Sequence, residues 1–152
     1  MSEPKPAQPA KLVVALLLGD KELLPRIATS LKAAFGVLDL VSPWMDFHYT
    51  DYYRSEMGAP LFRRVLAFKQ LIHQQQLARI KCRTNELEQA LAVQGQRRVN
   101  IDPGYLLYER FVLATGKNYA HRIYIGEGIY ADLTLVYQKG GYQPVFFHNR
   151  TA

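Results

Sequence analysis

KLVVALLLG, residues 11–19, is an apolar run without polar alternation, closed by Gly19 and Asp20. A strand with one wet face alternates apolar and polar side chains, and a strand covered on both faces does not. The run therefore predicts a central strand, with the remaining elements arranged around it. Downstream, Leu23, Leu24, Ile27, Leu31, Ala34 and Phe35 recur at helical spacing. Pro25 fits only the first turn of such a helix, where its missing N–H is harmless. Gly36 suits the helix end.

Val37–Val41 predicts a second strand and Phe62–Leu71 a third. Gln74–Val93 predicts a second long helix with Leu77, Ile80, Thr84, Leu87 and Leu91 as its buried stripe, ended by Gly95. Arg97–Ile101 fits a short strand and Asp102-Pro103-Gly104 a turn, while Tyr105–Ala114 fits either a helix or a strand and is read as a short helix opened by that turn. Tyr119–Ile125 and Ile129–Tyr137 predict a hairpin around Gly126-Glu127-Gly128, followed by a short strand near Gln143–Phe147. The order β-α-β-β-α-β with a C-terminal β-hairpin extension points to an α+β fold. The expected architecture is a two-layer sandwich of ferredoxin-like order, with helices on one face of a mainly antiparallel sheet. Residues 1–10, with Pro4, Pro6 and Pro9, read as a disordered leader, and residues 11–152 as a single domain.

Composition narrows the function. One cysteine, Cys82, cannot form an internal disulfide. The longest apolar run, Leu12–Leu18, is far short of the about 20 residues a membrane span needs. No apolar stretch with a cleavage site opens the chain. A soluble cytoplasmic protein with no membrane partner is expected. The net charge of +6 and the ten tyrosines invite an RNA reading. Against it, no Lys/Arg run exceeds two residues, and the third strand carries Arg63, Val65, Ala67 and Lys69 on one face instead of stacked aromatics.

Several chemistries are excluded by motif. There is no phosphate loop, no G-x-G-x-x-G, no H-E-x-x-H, no C-x-x-C and no nucleophile elbow. His48, His73, His121 and His148 lack metal-ligand spacing, so no metal or other cofactor is assigned. His48-Tyr49-Thr50 is one H-x-S/T motif where a two-histidine phosphodiesterase needs two.

Three polar segments remain. In FHYTDYYRSEMG, residues 47–58, Asp51 and Glu56 are carboxylates among phenols and Arg54, suited to a cation or a substrate hydroxyl, or to a pinned surface loop. In RRVNIDPGY, residues 97–105, a strand period of two puts Arg98, Asn100 and Asp102 on one face and turns Val99 and Ile101 to the core. In GKNYAHRIY, residues 116–124, Lys117, His121 and Arg122 offer three cationic groups for a phosphate or carboxylate. A three-residue hairpin loop would set Ile125 opposite Ile129, Tyr124 opposite Tyr130 and Arg122 opposite Asp132, giving Arg122 a salt-bridge partner. His121 would then lie with Ile123 and Ile125 on the apolar face.

TDYYxxEMG (residues 50–58), TNELE (84–88), RRVNIDPGY (97–105) and HRIYxGxGIYA (121–131) together resemble a bacterial family known as domain of unknown function 4416. The resemblance runs over about residues 11–142. Members are sometimes labelled GTP-binding, a label for which this chain has no phosphate loop or guanine-reading motif. The resemblance implies no reaction. It marks Asp51, Tyr52, Glu56, Asn85, Glu86, Arg98, Asn100, Asp102, Lys117, His121 and Arg122 as positions to watch. Relatives usually continue past the hairpin through an aromatic stretch and another helix, where this chain reads VFFHNRTA.

The leading expectation is a site for a small anionic ligand, phosphate- or carboxylate-bearing, with catalysis left open. Arg98 and Lys117 would bind the anion, Asp102 would orient it or act as base, and His121 would transfer protons if it lies in a cleft. Tyr52, Asn100 and Arg122 would line the site, and Asp51 and Glu56 would face a metal or a hydroxyl. An RNA-binding module and a non-catalytic scaffold are the alternatives. The residues do not specify the oligomeric state.

Overall fold

The computed structural model describes residues 1–47 and 52–145. Its elements are β1 (Ala10–Leu18), α1 (Leu24–Phe35), β2 (Leu38–Val41), β3 (Met45–Phe47), α2 (Arg54–Met57), β4 (Leu61–Ile72), α3 (Leu77–Leu91), β5 (Val99–Leu106), β6 (Arg110–Thr115), β7 (Arg122–Gly126), β8 (Ile129–Gln138) and β9 (Gly141–Pro144). The strands form one antiparallel sheet in the order β2-β4-β1-β5-β6-β8-β7, with β3 paired to β4 and β9 to β8.

β1 sits inside the sheet between β4 and β5, as its apolar run predicts. Its Leu12, Val14, Leu16 and Leu18 are fully buried against Ile27 and Leu31 of α1 and Ile80 and Leu91 of α3. On the other face Leu17 is buried, while Val13 and Ala15 are only partly covered. The helices therefore cover one side of β1, and its unbroken apolar run reflects a second face that is only half wet.

The expected two-layer ferredoxin-like sandwich with an appended hairpin is overturned. Among the described residues the molecule is mostly a nine-stranded antiparallel sheet with three short helices. The turn expected at Asp102-Pro103-Gly104 and the helix expected over Tyr105–Ala114 are both absent. β5 instead runs straight through Pro103, which pairs with Val14. Ile101 turns its N–H and C=O away from β1 to side chains of α3. Pro103, two residues on, points its nitrogen the same way, and pairing to β6 begins only at Gly104, so no ladder bond is lost. Gly104 then admits β6. A Cβ there would lie 2.6 Å from the Val112 carbonyl oxygen and 2.8 Å from Phe111 Cζ. In β6, Val112 and Ala114 are buried while their neighbours are half exposed, a period of two and not of 3.6.

The second hairpin keeps the expected pairs Arg122–Asp132 and Tyr124–Tyr130. A register shift then places Gly126 opposite Ile129, where Ile125 was expected. Phe146 and Phe147, in the last strand as expected from sequence, lie outside the described residues. No helix among the described residues is long and apolar enough to cross a membrane.

Candidate functional site

The pairing registers set which side chains share the sheet face opposite α1 and α3. Leu17 lies between Arg63 of β4 and Asn100 of β5, and Ala15 between Val65 and Asp102. Val13 pairs with Gly104, which starts a row through Leu113, Asp132 and Arg122 on β6, β8 and β7. With the strand period of two, Arg63, Asn100, Asp102, Asp132 and Arg122 all point to this face.

The first of two polar clusters centres on Arg97. Its Nη2 donates to Glu56 Oε1 at 2.9 Å and its Nε to Oε2 at 2.9 Å, while its backbone N–H reaches the same Oε2 at 2.8 Å. Arg97 holds the Glu56 carboxyl below its usual range, and Glu56 in turn keeps the guanidinium firmly charged. Arg97 Nη1 donates to Asn100 Oδ1 at 2.8 Å, and Asn100 Nδ2 donates to Asp102 Oδ2 at 2.8 Å. Asn100 is buried, so this chain fixes the orientation of the Asp102 carboxylate, whose side chain is 38% exposed.

Two buried side chains of α3 complete the cluster. Lys81 Nζ donates to the Ile101 carbonyl at 3.0 Å and lies 3.5 Å from Asp102 Oδ1. Glu88 Oε2 accepts the Ile101 N–H at 2.6 Å, and its Oε1 lies 3.7 Å from Arg97 Nη1. Together they satisfy the backbone of β5 where β6 does not pair with it. Burial pushes the Glu88 carboxyl up, against the pull of the Ile101 N–H and Lys81. Tyr53 covers the cluster, with the Arg97 guanidinium 5.8 Å from its ring centroid. Burial first, then the negative charge of Asp102, raises its phenol above the ordinary value.

The second cluster lies on the other side of the same face. Asp132 is buried on β8; Arg122 Nε donates to its Oδ2 at 2.9 Å, and His121 Nε2 lies 3.4 Å from that oxygen. Arg122 Nη1 also donates to the Lys117 carbonyl at 3.1 Å, and its guanidinium lies 4.7 Å from the Tyr119 ring centroid. His121 stacks on Tyr119. Lys117 Nζ donates to the Tyr52 hydroxyl and sits 4.3 Å from the centroid of its ring. Tyr52 touches Tyr53 edge to face, with centroids 4.9 Å apart. That contact joins the two clusters.

The positions expected from sequence sort as follows. Glu56, Asn100 and Asp102 meet in the first cluster; Tyr52, Lys117, His121 and Arg122 meet in the second. Arg98 joins neither. It turns to Asp20, with Nη2 3.3 Å from Oδ2. Glu56 spends both oxygens on Arg97 instead of facing a metal or a hydroxyl, and no group of three metal-ligating side chains occurs among the described residues. His121 is buried beside Asp132, with a side chain 5% exposed, while Ile123 and Ile125 face solvent; the apolar-face placement is thereby corrected. On α3, Glu86 pairs with Arg83 at the surface, 3.9 Å away. Asp51 lies outside the described residues.

Sequence reasoning missed Arg97, Lys81, Glu88, Tyr53 and Arg63. Lys81 and Glu88 were detectable in principle, because they are seven residues apart with Thr84 between them, on the flank of the Leu77–Leu91 stripe.

A family model described as a domain of unknown function, DUF4416, matches residues 8–148. No curated protein and no solved structure matches the chain.

Proposed function

We propose that this chain, which belongs to the DUF4416 family, binds a small anionic ligand on the sheet face opposite α1 and α3. Lys117 takes the anion, and Asp102 accepts hydrogen bonds from the ligand's polar end. The observation that carries this reading is the partner of Lys117. Arg97, Arg122 and Lys81 each lie against a carboxylate, whereas the exposed ammonium of Lys117 is held by a phenol, Tyr52, with no acidic partner among the described residues. Its charge is positioned and left for an outside anion. Asp102 supports the reading as the carboxylate of the face that is both oriented, by Asn100, and open to solvent.

The test is a thermal-shift and calorimetric screen of inorganic phosphate, pyrophosphate, citrate and nucleotides. A ligand at about 100 times its Kd stabilises by about 2.7 kcal/mol. For a chain of this size that is roughly 5–10 °C. The Lys117→Ala variant should remain folded and lose the shift. A flat screen, or a shift that survives Lys117→Ala unchanged, rejects the proposal.

A further inference from the structure

A second opening lies just past the C-terminal end of β1; it shares the Glu56–Arg97 pair with the first cluster and departs from it in its Asp20 and Arg98 lining. It is a cleft of about 620 Å³ whose lining includes Asp20, Glu56, Gly58, Gln94, Arg97 and Arg98. That volume falls within the range of small-molecule sites, roughly 300–1,000 Å³. Its charged side chains are two acids, Asp20 and Glu56, and two bases, Arg97 and Arg98. They sum to zero, so the cleft offers no net attraction to a polyanion.

The two ion pairs differ. Glu56 and Arg97 satisfy each other with paired bonds of 2.9 Å and form a closed wall. Arg98 and Asp20 meet through one contact of 3.3 Å, with side chains 40% and 48% exposed. Only one of the five N–H donors of Arg98 is used there. Asp20 is anchored independently, since its Oδ1 accepts the Glu22 N–H at 3.0 Å while Oδ2 faces Arg98. An exposed pair of this kind is worth little, so opening it costs little. What opens it with gain is a ligand carrying both complementary charges.

We infer that this cleft binds the zwitterionic head of a free α-amino acid, with the ligand carboxylate on Arg98 and the ligand ammonium on Asp20 Oδ2. A planar carboxylate matches the Arg98 fork, and the compact ammonium matches the one Asp20 oxygen, Oδ2, that Arg98 releases when the pair opens. The remaining volume takes the ligand's side chain, facing the Gln94 end of the cleft.

The experiment is calorimetric titration of the full chain with each of the common L-amino acids, and with the N-acetyl and carboxamide forms of any that bind. At least one free amino acid should bind below about 10 mM, and blocking either charge should weaken binding by about tenfold or more. Arg98→Gln and Asp20→Asn should each weaken it similarly. Asp20→Asn keeps an oxygen for the Glu22 N–H, so its thermal midpoint should stay near wild type. Lys117→Ala should bind the amino acid as wild type does, which separates this site from the anion site. No binding by any amino acid, or equal binding of the blocked forms, overturns the inference.

Discussion

Arg97 clasps Glu56 across 41 residues of sequence, with both carboxylate oxygens in its fork and its own backbone N–H on one of them. This clasp ties α2 to the start of β5 and so sets where Tyr53 lies over Asn100 and Asp102. Arg97 hydrogen-bonds the charged form of Glu56 and holds its carboxyl below the ordinary value of 4.5. A depressed carboxyl contributes stability that is present above its unfolded value and lost as pH falls through its folded value. Glu56→Gln should therefore lower stability at pH 7 by on the order of 1 kcal/mol, as befits a partly exposed charged pair. Wild type and variant should converge at pH values below the folded value. Urea midpoints across pH check this, and a gap that stays constant into strong acid would disprove it.

Glu88 carries the opposite sign. Burial raises its carboxyl above 4.5, so the fold prefers the protonated form, and this penalty on stability is largest above the folded value. The penalty fades as pH falls toward 4.5. Glu88→Gln keeps an oxygen for the Ile101 N–H and should leave stability at pH 7 equal or higher, with the gain shrinking in acid. Glu88→Ala strands that N–H where no strand pairs with it and should cost about 1–3 kcal/mol. Chemical denaturation of the two variants side by side gives the answer. Equal losses would mean that the carboxyl acts by bulk alone.

The elements written in long periodic patterns were legible: β1 in its apolar run, α1 and α3 in their stripes, and the Arg122–Asp132 register in its turn. Residues 102–114 were not. Pro-Gly signals a turn when the chain is free to turn, and here β1 pairs straight through it. The site was half legible for the same kind of reason. A period of two placed Asn100 and Asp102 on one face correctly. It failed for Arg98, because β5 begins at Val99 and the period has no hold on the residue before it. Lys81 and Glu88 escaped because charged residues beside an apolar stripe read as solvated, and only the unpaired Ile101 backbone explains their burial.

Gly104 should not tolerate a side chain. The nearest atom to its would-be Cβ is the Val112 carbonyl oxygen at 2.6 Å, which belongs to the paired backbone of β6 and cannot swing aside. Gly104→Ala should destabilise by about 1–3 kcal/mol, through strain rather than through any lost contact. At roughly 2–4 °C per kcal/mol, calorimetry should show a midpoint lowered by several degrees. Gly128→Ala is the comparison, because open space surrounds its would-be Cβ and its positive φ alone penalises a side chain. If Gly104→Ala proved as stable as wild type, the close approach of β5 and β6 would be wrong.

Asp132 is the pivot of the second cluster, and removing it should be costly in a way that exposes its pairing. Its carboxylate is buried with Arg122 at 2.9 Å and His121 at 3.4 Å, and the Arg122 side chain is itself mostly covered. Asp132→Asn would leave a largely buried guanidinium without its counter-charge, at a cost of about 3 kcal/mol. Arg122→Gln leaves the converse, a buried carboxylate without its guanidinium, and should cost a comparable amount. In the Arg122→Gln/Asp132→Asn double variant the two amides can bond each other in place of the ion pair, so the losses should not add. A double-mutant cycle on thermal stability should return a coupling of about 1–2 kcal/mol, well above the 0.3–0.5 kcal/mol scatter expected of independent sites. The Lys117 carbonyl depends on Arg122 for one hydrogen bond. The same variants should therefore weaken anion binding at Lys117 while leaving amino-acid binding in the Arg98 cleft unchanged, a split that simple unfolding would not produce.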